Sequence, residues 1–215
     1  MYKRQTKSPG AVSTGGIYDF FVWDDAGTKR CTRGPFWPSA GTRGTGAGTT
    51  ELERLNGIWV NKNAITNGPA ARRGTYVGTA QADITAASFI WRYGTQGTAT
   101  NYAQLLVWNA YNRVRVTTFV CDSTASWTYP TAAFRLVNLG AGNQILIVQG
   151  LSEDVVEIIA YGYANVSTGS ASIATGIGID SQTVSGAQIS RSDVAVIGAA
   201  VSTPTAEYIL SLIHI

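Results

Sequence analysis

Histidine is almost missing from this chain: of 215 residues one is His, at position 214, and one is Met, at position 1. A Ser–His–Asp or Cys–His system needs an imidazole base. The usual catalytic zinc sites take at least one His ligand. Both chemistries are therefore excluded for the body of the chain. Charge is scarce too, at 13% Asp, Glu, Lys and Arg, about half the usual globular share. The two cysteines, Cys31 and Cys121, lie far apart and neither sits in a CxxC motif, which leaves both a disulfide and two free thiols open. No apolar run approaches the roughly 18 residues of a membrane-spanning helix, so no membrane insertion is expected.

The ends change this arithmetic. Leu210-Ser211-Leu212-Ile213-His214-Ile215 resembles the translation of one strand of a transposase mosaic end used as a sequencing adapter. Met1-Tyr2-Lys3-Arg4-Gln5 resembles the translation of the other strand, with GTG as the start. A match at both ends, one per strand, points to residues 1–5 and 210–215 as adapter-derived and not native. The native part is then expected at 6–209, an internal piece of a longer gene assembled from a metagenome. The competing reading of the C-terminus is a natural hydrophobic strand. With Lys3 and Arg4 set aside, the 16 basic residues become 14 against 13 acidic ones, a net charge of +1. The apparent pI near 8.9 thus gives no argument for nucleic acid as a partner.

What is abundant is Gly (24), Tyr (10), Trp (6) and small or β-branched residues. A chain so poor in charge and rich in these residues reads as strands joined by small-residue turns. Ile17 to Trp23 alternates, with Tyr18, Phe20 and Val22 on one face and Asp19 on the other. The turn sequence Asp24-Asp25-Ala26-Gly27-Thr28 follows, and Lys29 to Arg33 forms the return strand. Residues 38–50 make a flexible, exposed Gly/Thr-rich loop or a boundary between submodules. Asn56-Gly57 is a strong hairpin signal between Glu51–Ile58 and Trp59–Asn61. A second step, Asn67-Gly68, precedes a strand over Arg72 to Ala80.

Leu105 to Val120 reads as a long or bent strand pair with Val114 and Val116 inward and Arg113 and Arg115 outward; a short helix over its first half is the alternative. Further strands are expected at Phe134–Asn138, Gln144–Gln149, Val155–Val166 and Ser172–Ile179. The spacing is that of an all-β, antiparallel β-sandwich with long strands and Gly/Thr-rich loops. Residues 6–50 are expected to carry the N-terminal strands and the loop, and 51–209 the main sandwich domain.

Several of these segments resemble uncharacterised bacteriophage tail-fibre and minor virion structural proteins. The segments are Tyr18 to Thr28, Asn56 to Asn61 with Arg72 to Thr79, and Val107-Trp108-Asn109-Ala110-Tyr111-Asn112-Arg113-Val114. Asp122 to Thr124 with Ser126-Trp127-Thr128-Tyr129, and Gly176 to Ser181, extend the match. The "WNxYNRV" and "SWTY" elements are the most specific, and the glycine-rich ones are weak. Trp23 and Asp25 stand where that group has Tyr and Asn. The resemblance covers about residues 16–185. It implies localisation in the virion, a jelly-roll sandwich like that of tumour necrosis factor, and homotrimers; it names no receptor-binding residues. For a protein assembled in a bacterial cytoplasm, two buried free thiols fit better than a disulfide.

Carboxylates were weighed as glycosidase pairs. Asp24 and Asp25 are adjacent, so in a strand they point to opposite faces; in the turn they are expected to bond the local backbone. Glu153 and Asp154, Asp122 and Asp180 likewise read as turn or capping residues, and no Asp-x-Asp-x-Asp spacing supports calcium. Asn165-Val166-Ser167 is a formal glycosylation sequon of no consequence in a phage protein. Trp37 and Trp59, near loops, are the candidate glycan or receptor contacts, against the commoner fate of core packing. Tyr161 and Tyr163 beside Ile159 form a second apolar face that favours a homo-oligomer.

No catalytic, cofactor-binding or metal-binding residue is expected, and no enzyme activity. The expected function is a virion structural module of a tailed bacteriophage, in a tail fibre or head-associated fibre, acting in assembly and host-surface recognition. Its partners would be further copies of itself, other virion proteins and a host-surface glycan. A lectin-like carbohydrate-binding β-sandwich is the alternative. A fragment of a tail-spike depolymerase with its catalytic carboxylates elsewhere comes third.

Overall fold

Apolar alternation over Ile17–Asp25 makes a strand, and the computed structural model builds its largest sheet around it. The structure describes residues 11–83, 87–89, 95–96, 103–111, 114–121, 128, 135–136, 138, 143–158, 163–164, 173–178, 184–191, 195–196 and 209–214. The strands are β1 (Ile17–Asp25), β2 (Thr28–Phe36), β3 (Leu52–Leu55), β4 (Ile58–Asn61), β5 (Thr75–Gln81), β6 (Thr95–Gln96), β7 (Ala103–Leu105), β8 (Val107–Asn109), β9 (Val120–Cys121), β10 (Ile145–Ile147), β11 (Tyr163–Ala164), β12 (Ile173–Gly178), β13 (Val184–Arg191), β14 (Ala195–Val196) and β15 (Ile209–His214). No α-helix occurs among the described residues, and no sheet closes into a barrel. The chain forms two units. One takes in residues 1–90, 106–115 and 148–151, and the other 91–105, 116–147 and 152–215.

The first unit holds a six-stranded antiparallel sheet of order β2-β1-β5-β4-β3, with β8 also paired to β5. Strands on both sides of the 38–50 loop belong to it. Two turns set its registers. Ala26 and Gly27 both have positive φ (48° and 86°), as do Asn56 and Gly57 (50° and 82°). This is the twist that suits two-residue hairpins. Both hairpins fall where the sequence places them, with Asp25 opposite Thr28 and Leu55 opposite Ile58.

The alternation of β1 also holds, but its inward face is the one the sequence reading took as polar. Ile17, Asp19 and Phe21 are buried on it; on the other face Tyr18 is buried too, at 3%, but Val22 is 39% exposed. Asp19 faces inward because the loop after β2 supplies its partners, as described below. On the inward side Phe21 meets Tyr76 edge-on at 6.1 Å. These two, with Ile65 and Leu151, form the core cluster, and Leu52, Trp59 and Ala110 pack against it. On the outward side Tyr18 and Phe20 pack edge-on against Phe89, and Tyr18 against Phe36. The β2 edge carries an irregularity opposite Asp19, around Gly34 and Pro35. Proline is tolerated there because an edge strand can spare an N–H.

The second unit has its own core of Ala103, Ile145, Ile147, Ile158 and Ile177. Its largest sheet is antiparallel, of order β13-β12-β15. It also departs from the antiparallel expectation: β7 pairs with β10, and β6 with β9, in parallel. Each pair is joined by a long stretch of chain, as parallel pairing requires.

Over the first half of Leu105–Val120 the strand reading holds and the helical alternative does not: Leu105 ends β7, and Val107–Asn109 form β8 after a break at Leu106. Three further expectations are corrected. Val114 and Val116 are exposed, at 67% and 45%, because 114–119 belong to no strand and so meet no core. Residues 155–158 are not a strand either, although Ile158 is buried and Glu157 exposed as the alternation implies. Both cysteines are free thiols, but Cys31 is half-buried and Cys121 exposed, so neither is a core residue. Trp127, Tyr129, Phe134, Tyr161, Asp122, Asp180 and the sequon at Asn165 lie outside the described residues.

Candidate functional site

Beneath the 38–50 loop lies a buried polar cluster built on Asp19. Its carboxylate is fully buried in the middle of an apolar strand, so it must be paired and hydrogen-bonded to be tolerated. Four donors meet it. Trp37 Nε1 donates to Oδ2 at 2.9 Å and Arg43 Nε to the same atom at 2.8 Å. Arg43 also reaches Oδ1 from a terminal nitrogen at 3.2 Å, and the Thr79 hydroxyl donates to Oδ1 at 2.6 Å. The Tyr76 and Thr79 hydroxyls are 2.7 Å apart. The same terminal nitrogen of Arg43 also donates to the Gly150 carbonyl and, at 3.4 Å, to the Thr79 hydroxyl oxygen. Its guanidinium lies over the Trp37 ring, 4.5 Å from the centroid, and 5.4 Å from that of Tyr76.

Two glycines make this closeness possible. A Cβ on Gly150 would sit 2.2 Å from the Tyr76 hydroxyl and 2.8 Å from the Trp108 ring. One on Gly78 would sit 2.3 Å from the Trp108 carbonyl oxygen. Only glycine lets backbone and side chains approach so closely. With both carboxylate oxygens taken by donors, Asp19 has no lone pair aimed at a substrate. The cluster latches the loop to the sheet.

The two candidate tryptophans sit differently. Trp37 is 5% exposed, its N–H is used by Asp19 and a ring face is covered by Arg43, so it offers no platform for a sugar ring in this conformation. Trp59 is half-buried against the core cluster, with the Arg54 guanidinium 4.7 Å from its ring centroid. The two are not brought together by any contact described.

The other carboxylates do local work. Asp24 accepts the Gly27 N–H at 2.6 Å and pairs with Lys29; the lysine first, then the backbone bond, holds its carboxyl below the ordinary value. Asp25 pairs with Arg30. Glu51 is held low chiefly by the Gly46 N–H and then by Lys62, and Glu53 raises Arg72. Among the described residues no three His, Cys, Asp or Glu side chains gather as a metal site.

Exposed apolar side chains of the first unit include Phe36, Leu55 and Ile58 and, together in the chain, three that lie along the "WNxYNRV" segment. Val107 is 41% exposed, Tyr111 58% and Val114 67%. Val107 lies in β8, which among the described residues pairs with β5 alone. Trp108 turns the other way, into the glycine-lined contact described above.

Asp19 and Arg43 escaped the sequence reading. A signal existed: Asp19 is the lone charge in the strand from Ile17 to Trp23, and Arg43 the lone charge of residues 38–50. No family model, curated protein or solved structure matches the chain, so the reading of these features rests on their own geometry.

Proposed function

We propose that this chain is a virion structural module of a tailed bacteriophage, in a tail fibre or head-associated fibre, which assembles as a homotrimer and helps present a host-recognition surface. The observation that carries the proposal is the placement of the "WNxYNRV" segment. Its first residues, Val107–Asn109, form the short strand β8 beside β5, and Val107, Tyr111 and Val114 are turned to solvent. Exposed apolar side chains along an unpaired edge favour association. A jelly-roll sandwich is the finer architecture that goes with this reading, and other virion proteins and a surface glycan are its partners.

Light scattering on the purified chain tests it. A trimer that Val107→Lys weakens is the expected result, since an edge lysine opposes strand association. A well-folded monomer at every concentration would sink the proposal. Binding on a glycan array that Trp59→Ala abolishes would favour the carbohydrate-binding module instead.

A further inference from the structure

Two Asn-Gly steps occur in the chain, Asn56-Gly57 and Asn67-Gly68, and the structure treats them very differently. Asn56 and Gly57 are exposed at the tip of the β3–β4 hairpin. Among the described residues neither the Asn56 side chain nor the Gly57 N–H makes a hydrogen bond, and a Cβ built on Gly57 would meet nothing within 4 Å. The strands behind this tip are four residues each, and the pair that closes it, Leu55 and Ile58, is itself 44% and 47% exposed. Asn67 is also exposed, but Gly68 is half-buried and its N–H donates to the Ile65 carbonyl at 2.9 Å. Ile65 is buried in the core cluster and its own N–H donates to the Pro69 carbonyl at 3.0 Å. The Asn61 side chain ties the same loop down through the Ala70 carbonyl and the Gly74 N–H.

We infer that Asn56 is a site of spontaneous covalent modification, deamidating through a succinimide with Gly57, and that Asn67 is protected from the same reaction by the fold. The Gly57 nitrogen gives up its proton to solvent and attacks Cγ of Asn56. A new N–C bond closes a five-membered ring, the Cγ–Nδ2 bond breaks, and the leaving nitrogen takes a proton from solvent and departs as ammonia. Water then opens the ring at one of its two carbonyls, giving Asp or isoaspartate. Asn56 and Gly57 are both held at positive φ in the turn, and ring closure takes a brief opening of the tip. That opening breaks only the exposed end of a short hairpin, and such local openings are the cheapest a protein makes. At Asn67 the attacking amide is already bonded, and freeing it requires pulling a buried isoleucine loose. The product places a negative charge beside Leu55 and Ile58, and isoaspartate adds a backbone carbon to a turn whose length sets the register.

The two steps fall in separate tryptic peptides, residues 55–62 and 63–72. Native protein is aged in mildly alkaline buffer, digested and read by mass spectrometry beside a sample aged in denaturant. Peptide 55–62 should gain about 1 Da and yield isoaspartate, at a rate at least about tenfold above that of peptide 63–72. In denaturant the two rates should converge. Equal rates in the native protein, a faster reaction at 63–72, or an inert peptide 55–62 in the native protein would each overturn the inference. Asn56→Gln should abolish the gain in its peptide, and a gain that persisted there would place the chemistry elsewhere.

Discussion

The two faces of the six-stranded sheet each carry an arginine stacked on an aromatic ring, yet the two arginines have different work. On the inward face Arg43 lies over Trp37 and is bonded to a fully buried carboxylate. On the outward face Arg33 lies over Tyr18, 4.6 Å from its centroid, and donates to the Ala11 carbonyl at 2.7 Å. A cation that keeps partial contact with water adds little by lying over a ring; a cation that neutralises a carboxylate out of water is required once that carboxylate is there. The comparison teaches that similar geometry says little about energetic weight until burial and charge pairing are counted.

Removing Arg43 tests the comparison hardest. Arg43→Ala leaves Asp19 buried without its counter-charge, at an expected cost of about 3–5 kcal/mol. Urea unfolding would measure it, and a cycle with Asp19→Ala should show strong coupling between the two positions. A loss below about 1 kcal/mol would put Arg43 in the same class as Arg33 and end the distinction.

On the other face Arg33→Ala is expected to cost only about 0.5–1 kcal/mol, read in the same unfolding experiment. A loss as large as that at Arg43 would mean that the outward aromatic cluster is as dependent on its cation as the inward carboxylate.

Acid gives the smallest effect and tests the surface pairs. Asp24 and Glu51 are both held below their ordinary values. Their contribution is complete at neutral pH and is lost as the pH falls below the ordinary carboxylate range, where the unfolded chain binds more protons than the folded one. Both are solvent-exposed, so the denaturation midpoint should fall gently with acidification, and Glu51→Gln should flatten that fall. An unchanged acid slope in the variant would show that Glu51 does not contribute to it.

Much of the β architecture was legible. The hairpins at Ala26-Gly27 and Asn56-Gly57 follow from residues that accept positive φ, a local property of the chain. The strands over Ile17–Asp25, Thr28–Phe36 and Ile173–Gly178 follow from alternation and β-propensity, which are local too. The inward turn of Asp19 was not legible. A carboxylate within an apolar strand reads as solvent-facing until a cation arrives to meet it, and that cation sits 24 residues away in a loop that composition alone describes as flexible. Trp37 takes the core position that is the commoner fate of a sandwich tryptophan, but its bond to Asp19 and its contact with Arg43 were not legible. Val114 and Val116 failed in the opposite sense, since alternation predicts a face but cannot supply a sheet for it to cover.

The sequence by itself determined the β-strand class of the fold and the positions of its tight turns, because composition and single-residue conformational preference decide those. Tertiary structure decided which face of β1 is the core, what Arg43 binds, which tryptophan stays half open to solvent, and which of two identical Asn-Gly steps is shielded. Each of those depends on groups distant in the chain meeting out of water, where an unpaired charge or amide is costly and a paired one is held in place.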